Sequence, residues 1–145
     1  MLGGWTGLRV LDAYAGSGAV GLEALSRGAA EVTFVERDRR AATLLRRNID
    51  AVGLPGARVL VADAATADPT GPFDLAFLDP PYDVPDRDVA AVLERWATPS
   101  VLDQEALVIV EREVRSGAPW PESGWDSLRR REYGETALWY GRLAL

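Results

Sequence analysis

Cysteine and histidine are both absent from the 145 residues. Their absence removes disulfides, thiolate and imidazole metal sites, cysteine nucleophiles and any Ser-His-Asp triad. No metal site is expected, and the lack of cysteine fits a reducing, cytoplasmic setting. Also missing is any apolar stretch of membrane-spanning length, and Met1-Leu2-Gly3-Gly4 has neither the charged nor the apolar part of a secretory leader. No internal repeat, low-complexity segment or interdomain linker interrupts the chain, so a single domain over residues 1–145 is the expectation. Positive charge is scarce: the net charge is −6. That is awkward for a partner rich in phosphate, which normally meets a basic face. The cations are unevenly spread, however. Arg37, Arg39, Arg40, Arg46 and Arg47 form one group and Arg129, Arg130 and Arg131 another. They make either a locally positive surface or a solvated helix face and an edge strand kept soluble. What remains for chemistry is carboxylates, Arg, Tyr, Trp, hydroxyls and backbone amides. With 48% hydrophobic and 26% charged residues, the chain can bury a core.

Strand and helix signals alternate along most of the sequence. Leu8–Ala13 reads as a strand, followed by a glycine turn and a helix over Ala19–Arg27 that Gly28 ends. Val32–Val35 is a second strand. Asp38 is placed to cap a helix whose apolar residues Ala41, Leu45, Ile49 and Val52 recur at helical spacing, with Gly53 as its stop. Arg58–Ala62 is a third strand. Ala64–Pro72, with Asp68-Pro69 and Gly71-Pro72 as breakers, leaves room only for an abbreviated helix. Phe73–Leu78 is a fourth strand, and a helix over Asp86–Ala97 carries Val89, Val92, Leu93 and Trp96 on one face. Ala106–Val110 is a fifth strand. After a loop over Ser116–Gly124, Leu128–Tyr133 and Thr136–Tyr140 flank Gly134-Glu135 as an antiparallel hairpin. Repeated strand-helix units imply an α/β fold with a mostly parallel sheet and helices on both faces.

Two motifs carry the chemistry. Gly16, Gly18 and Gly21 satisfy the G-x-G-x-x-G spacing between a strand and a helix. The first glycine permits the turn, the second lets a ligand approach the backbone and the third lets the helix pack closely. Glu36, at the end of the second strand, is placed to accept from both ribose hydroxyls of a nucleotide-type cofactor, and Arg37 next to it joins the cofactor residues. Asp63, at the end of the third strand, is a candidate acceptor for an adenine amine, with the Ala64 amide donating to the ring. These features suit NAD as well as S-adenosylmethionine. Asp12, ahead of the glycines, would repel a pyrophosphate and favour a cationic sulfonium with its ammonium group, unless it braces the loop through backbone amides. No His, Lys or Cys stands beside the glycine loop to serve a hydride-transfer reaction.

The second motif is Asp79-Pro80-Pro81-Tyr82 at the end of the fourth strand. The Asp79 carboxylate and the Pro80 carbonyl can each accept one hydrogen of a flat base's amine, aiming its lone pair at a methyl donor. The prolines stiffen the loop, and Tyr82 can stack on the base. Trp96 reads as core, whereas Trp120 and Trp125 are candidates to frame the acceptor pocket. The reading is methyl transfer to a nucleobase amino group.

The run Leu11-Asp12-Ala13-Tyr14-Ala15-Gly16-Ser17-Gly18-Ala19-Val20-Gly21-Leu22-Glu23-Ala24-Leu25-Ser26-Arg27-Gly28-Ala29 resembles a signature of the RsmD family of bacterial small-subunit rRNA guanine-N2 methyltransferases. So do Phe34-Val35-Glu36-Arg37-Asp38, Phe77-Leu78-Asp79-Pro80-Pro81-Tyr82 and Tyr133-Gly134-Glu135-Thr136-Ala137-Leu138. The resemblance spans essentially the whole chain. It implies a class I S-adenosylmethionine-dependent methyltransferase fold, Rossmann-like, with a mostly parallel seven-stranded sheet and a C-terminal antiparallel hairpin. It further implies that Asp12, Gly16, Gly18, Glu36 and Asp63 line the cofactor site and that Asp79, Pro80 and Tyr82 hold the guanine. The expected partner is 16S rRNA in an assembled or assembling small subunit, met by a monomer. Members of that family carry a basic N-terminal extension, whereas the first strand signal here begins at Leu8. The expectation is that cofactor binding survives better than catalysis, and an inactive cofactor-binding core is one alternative. A DNA adenine-N6 methyltransferase is another, lowered by the lack of a target-recognition domain.

Overall fold

The computed structural model describes residues 4–144, so residues 1–3 of the start read above as lacking leader character lie outside it. The elements in chain order are β1 (Arg9–Ala13), α1 (Ala19–Ser26), β2 (Glu31–Glu36), α2 (Arg39–Val52), β3 (Ala57–Val61), β4 (Phe73–Leu78), α3 (Asp86–Trp96), β5 (Leu102–Glu113), β6 (Trp125–Tyr133) and β7 (Thr136–Leu143). The strands form one seven-stranded sheet in the order β3-β2-β1-β4-β5-β7-β6. Neighbours run parallel from β3 to β5, and β7 is antiparallel to both β5 and β6. Chain order reverses direction between β1 and β4, which lie side by side with Ala13 opposite Leu78. Ligands in open α/β sheets bind beyond the carboxyl ends of the strands at such a reversal. The glycine turn leaves one of these strand ends and Asp79-Pro80-Pro81-Tyr82 leaves the other.

The core occupies both faces of the sheet. On one face Leu11, Ala13, Val35, Leu78 and Val110 pack with Val89, Val92, Leu93 and Trp96 of α3. On the other, Val10, Phe34 and Leu75 pack with Ala24, Leu25 and Leu45 of α1 and α2. The helical stripe expected on α3 is thus buried at all four positions. In α2 the Asp38 carboxylate accepts from the Arg40 N–H at 2.9 Å, and Gly53 stops the helix at φ 71°. Its buried residues are Ala42 and Leu45, however, and Val52 is exposed, so the stripe is turned from the expected Ala41–Val52 line. α2 packs over β2 and β3 at the margin of the sheet, where only a narrow strip of helix is covered.

Three other differences have physical causes. Residues 64–72 form no helix. Their first turn closes on the Asp63 carbonyl, which accepts from the Thr66 and Ala67 N–H groups at 3.0 and 2.9 Å. Arg95 of α3 then ties the turn down, donating to the Ala65 and Thr66 carbonyls at 3.0 Å each and pairing with Asp68. β5 is longer than its apolar centre because polar residues at its end keep pairing with β7, out to Glu113 opposite Thr136. Trp120 and Trp125 stack on each other at 5.5 Å, pack against the α3-side core and do not line the cavity at the carboxyl edge of the sheet, which they were expected to frame.

Candidate active site

A cavity of about 580 Å³ opens at the carboxyl edge of the sheet. Gly16, Glu36, Arg37, Asp63, Ala64 and Asp79, all singled out from the sequence, line it. Its walls are completed by Tyr14, Val35, Ala41, Ala62, Pro81, Val84, Val92 and Arg95, among others. The volume is in the range of small-ligand sites, and the mix of apolar walls with a few convergent polar groups is their usual character.

Two of the carboxylates, Glu36 and Asp63, are held by backbone amides. Glu36 accepts from the Gly16 N–H through Oε1 and from the Asp38 N–H through Oε2, both at 2.8 Å, so its carboxylate is fixed between the glycine turn and the start of α2. Asp63 accepts from the Ala65 N–H at 2.9 Å through Oδ1, while Oδ2 lies 3.7 Å from the Arg37 guanidinium. That pair joins two of the cofactor candidates across the cavity mouth. Tyr14 takes a left-handed backbone at φ 59°, uncommon for a bulky residue, and this turns the chain from β1 into the glycine loop.

Asp12, Gly18, Pro80 and Tyr82 do not line the cavity. Asp12 is 3% exposed and accepts from the Gly21 N–H at 3.1 Å, so it braces the start of α1 from beneath. Burial pushes its carboxyl up to about 7 against the pull of the Gly21 amide, with smaller upward contributions from Asp79 and Glu36. Gly18 has φ 87°, and an added Cβ would run into Leu45 and Phe34. Its role in this geometry is close packing of the loop on the core, where the spacing motif had assigned it ligand approach. Pro80 is buried, and Tyr82, 49% exposed, turns outward with its hydroxyl 3.2 Å from the Thr136 Oγ1.

Asp79 has a partner that the sequence reading missed. The register sets Leu78 opposite Val110, which brings the next residues, Asp79 and Glu111, side by side with interacting carboxyl groups. Partial burial raises both above the usual carboxylate range. Glu111 and Arg112 pull Asp79 back down, whereas Asp79 pushes Glu111 further up. Arg112, 2% exposed, was missed too. It donates to the Val84 carbonyl at 2.7 Å and the Pro81 carbonyl at 3.4 Å, and pairs with Asp86 at 3.1 Å. A single guanidinium thereby clamps the loop between Asp79 and α3. The alternation of Ala106, Val108 and Val110 along β5 is the signal that placed Arg112 on the buried face.

The family model described as conserved hypothetical protein 95 matches residues 4–142. The chain belongs to this family, the RsmD family. The ribosomal RNA small subunit methyltransferase D of Escherichia coli (strain K12) is 36% identical over 135 residues, which is 88% of this chain and 64% of that protein. This RsmD-family chain thus spans less than two thirds of that relative's length. Among solved structures, the E. coli protein yhhF is 32% identical, with a TM-score of 0.80 over 96% of this chain and 77% of its own. TrmN from Thermus thermophilus, 24% identical, superposes at a TM-score of 0.79 over 96% of this chain and 45% of that one, a likeness of fold alone. The fold is that of the class I methyltransferases. In this RsmD-family chain, then, the glycine turn and the Asp-Pro-Pro-Tyr loop meet at one cavity.

Proposed function

We propose that this chain transfers a methyl group from S-adenosylmethionine to the exocyclic N2 amine of a guanine in small-subunit ribosomal RNA. The observation that carries this reading is that Gly16, Glu36 and Asp63 line the same cavity as Asp79. The name of the E. coli relative supports the RNA substrate. The residues present fit the cofactor: Glu36 is already oriented by two backbone amides, and the apolar walls formed by Val35, Ala41, Ala62 and Val92 suit a flat ring. Glu36 would hold the ribose hydroxyls, with Asp63 and the Ala64 amide at the adenine edge. When bound, the cofactor supplies an electrophilic methyl group on a cationic sulfur.

The chain's own work is orientation and charge. An exocyclic base amine is a poor nucleophile because its lone pair is spread into the ring. The Asp79 carboxylate and the Pro80 carbonyl each take one amine hydrogen, which turns the lone pair out of conjugation. They also stabilise the positive charge that grows on nitrogen as the new bond forms. Arg112 holds the Pro81 carbonyl and so keeps these acceptors in place. Tyr82 offers a face on which a base drawn out of its stack can rest, a contact worth about 1–3 kcal/mol in nucleic-acid binders.

The test is tritium transfer from labelled cofactor to immature small subunits, beside calorimetric titration of the cofactor. Asp79→Ala is expected to lower transfer by about 10²–10³, the loss typical of a preorganised polar contact to a transition state, while the cofactor binds as before. An Asp79→Ala protein as active as the parent would sink the mechanism, and label on adenine rather than guanine would redirect the substrate.

A further inference from the structure

We propose that a single RNA strand, on its way to the acceptor site, lies along β6 with its phosphates on Arg129 and Arg131 and its bases turned inward over β7. The proposal rests on the methyl-transfer reading and adds the path of the substrate.

Three arginines stand in sequence on β6, but they do different things. Arg130 is half-buried: it donates to the Val114 carbonyl at 2.8 Å, pairs with Glu132 at 2.5 Å and lies 5.2 Å over the Trp139 ring. It is engaged in packing. Arg129 and Arg131 point to the opposite face, are exposed, and make no ion pair among the described residues. Arg131 instead donates to the Tyr133 hydroxyl at 3.1 Å, which fixes those two side chains on the same face. Arg129, Arg131 and Tyr133 therefore form a row with roughly 7 Å between successive members.

The row leads to the acceptor loop. Tyr133, 53% exposed, pairs with Thr136 across the hairpin, and the Thr136 hydroxyl meets that of Tyr82. Tyr82 is three residues from Asp79. The row thus runs from the outer edge of the sheet to the rim of the cavity without a break in register.

The charge pattern across this face selects the orientation of a strand. Register places Arg131 opposite Leu138, and Leu138 opposite Glu111; likewise Arg129 meets Tyr140, and Tyr140 meets Ile109. From the edge inward the face between Arg129 and Tyr133 is therefore basic on β6 and apolar and aromatic on β7, and beyond it Asp126 pairs in register with Arg142. The face turns acidic on β5, at Glu111 and Glu113. Phosphates are drawn to the first row and repelled by Glu113 on the third, roughly 10 Å away. Between them Leu138 and Tyr140 are half-exposed, because α1 and α2 pack over β1, β2 and β3. An apolar strip with an aromatic ring, bordered on one side by cations, is what unpaired bases with a flanking backbone require.

The second arginine group is the built-in control. Arg46 and Arg47 are exposed on α2, which packs at the β3 side of the sheet, the far edge from β6. The probe is a labelled, unstructured guanine-containing RNA oligonucleotide, titrated by fluorescence anisotropy at several salt concentrations. Arg129→Ala with Arg131→Ala should weaken binding and reduce the slope of log affinity against log salt by about 1.4, two phosphate contacts at about 0.7 each. Arg129→Lys with Arg131→Lys should restore most of the slope, and Arg46→Ala with Arg47→Ala should leave it unchanged. Thermal unfolding confirms that each variant is folded. No binding by the parent chain, an unchanged slope in the β6 variant, or an equal loss in the α2 variant overturns the proposal. So does sedimentation showing a dimer that Arg129→Glu with Arg131→Glu dissolves, since a second copy would then own this face. RNA binding with the predicted slope but no methyl transfer would instead overturn the reaction and leave the path standing.

Discussion

Asp12 shows how one side chain can serve the fold and burden it together. It lies under the glycine turn with the Gly21 N–H as its hydrogen-bond donor, and burial raises its pKa from 3.8 to about 7. The native state therefore keeps a proton that the unfolded chain releases near pH 4. Between those two values the folded form binds more protons, so this residue makes stability fall as pH rises from about 4 to about 7, after which the loss is complete. A three-unit difference corresponds to as much as about 4 kcal/mol. Asp12→Asn retains an oxygen to accept from Gly21 and carries no charge. It is expected to match the parent in thermal unfolding near pH 3, to lead it modestly at pH 5 and to exceed it most at pH 8. A variant less stable than the parent at pH 8 would show that the carboxylate, not its proton, holds the loop.

The loop between β4 and α3 is the element on which the proposed acceptor site depends, and Arg112 is its main tie. Replacing it by Ala would leave the Val84 and Pro81 carbonyls without their donor and Asp86 without its partner. Arg112→Ala is expected to destabilise the chain by about 2–4 kcal/mol in denaturant titration, with Arg112→Lys in between, because a lysine ammonium cannot span the same acceptors. A loss below the error of the titration would mean that the prolines alone order the loop. Arg112 also marks where the sequence was and was not legible. Helical spacing in α3 and the glycine and proline punctuation located the elements, because local periodicity and turn chemistry are short-range. The alternation in β5 pointed at Arg112, but its polar character argued for solvent. The Asp79–Glu111 contact had no local signal at all, since it arises from the register of β4 against β5. The same holds for Tyr82 meeting Thr136, which depends on the hairpin folding back so that β7, not β6, lies beside β5. The exposed end of α2 is likewise set by what packs nearby, whereas the lack of a helix over residues 64–72 follows from the Asp68-Pro69 and Gly71-Pro72 breakers.

Across the whole molecule the carboxyls at the carboxyl edge of the sheet share one tendency. Asp12, Asp79 and Glu111 are all shifted upward, by burial first, and by one another: Asp79 raises both Asp12 and Glu111, and Glu36 raises Asp12 further. Ionising such an edge costs free energy that a bound cation would offset. In the proposed reaction the donor brings a sulfonium charge and the product lacks it, so charge is one property by which such a site would tell them apart. The measurement is the rise in unfolding temperature caused by S-adenosylmethionine and by S-adenosylhomocysteine between pH 5.5 and 8. The unliganded chain should lose stability as pH rises through this window, the sign set by upward-shifted carboxyls. The rise produced by S-adenosylmethionine should grow over the same window as the carboxyls ionise around its charge, whereas that produced by S-adenosylhomocysteine should grow less. Asp12→Asn should narrow the gap between the two ligands. If both ligands stabilise the chain by the same margin at every pH, the carboxyl edge does not sense the sulfonium, and selection of donor over product must come from shape.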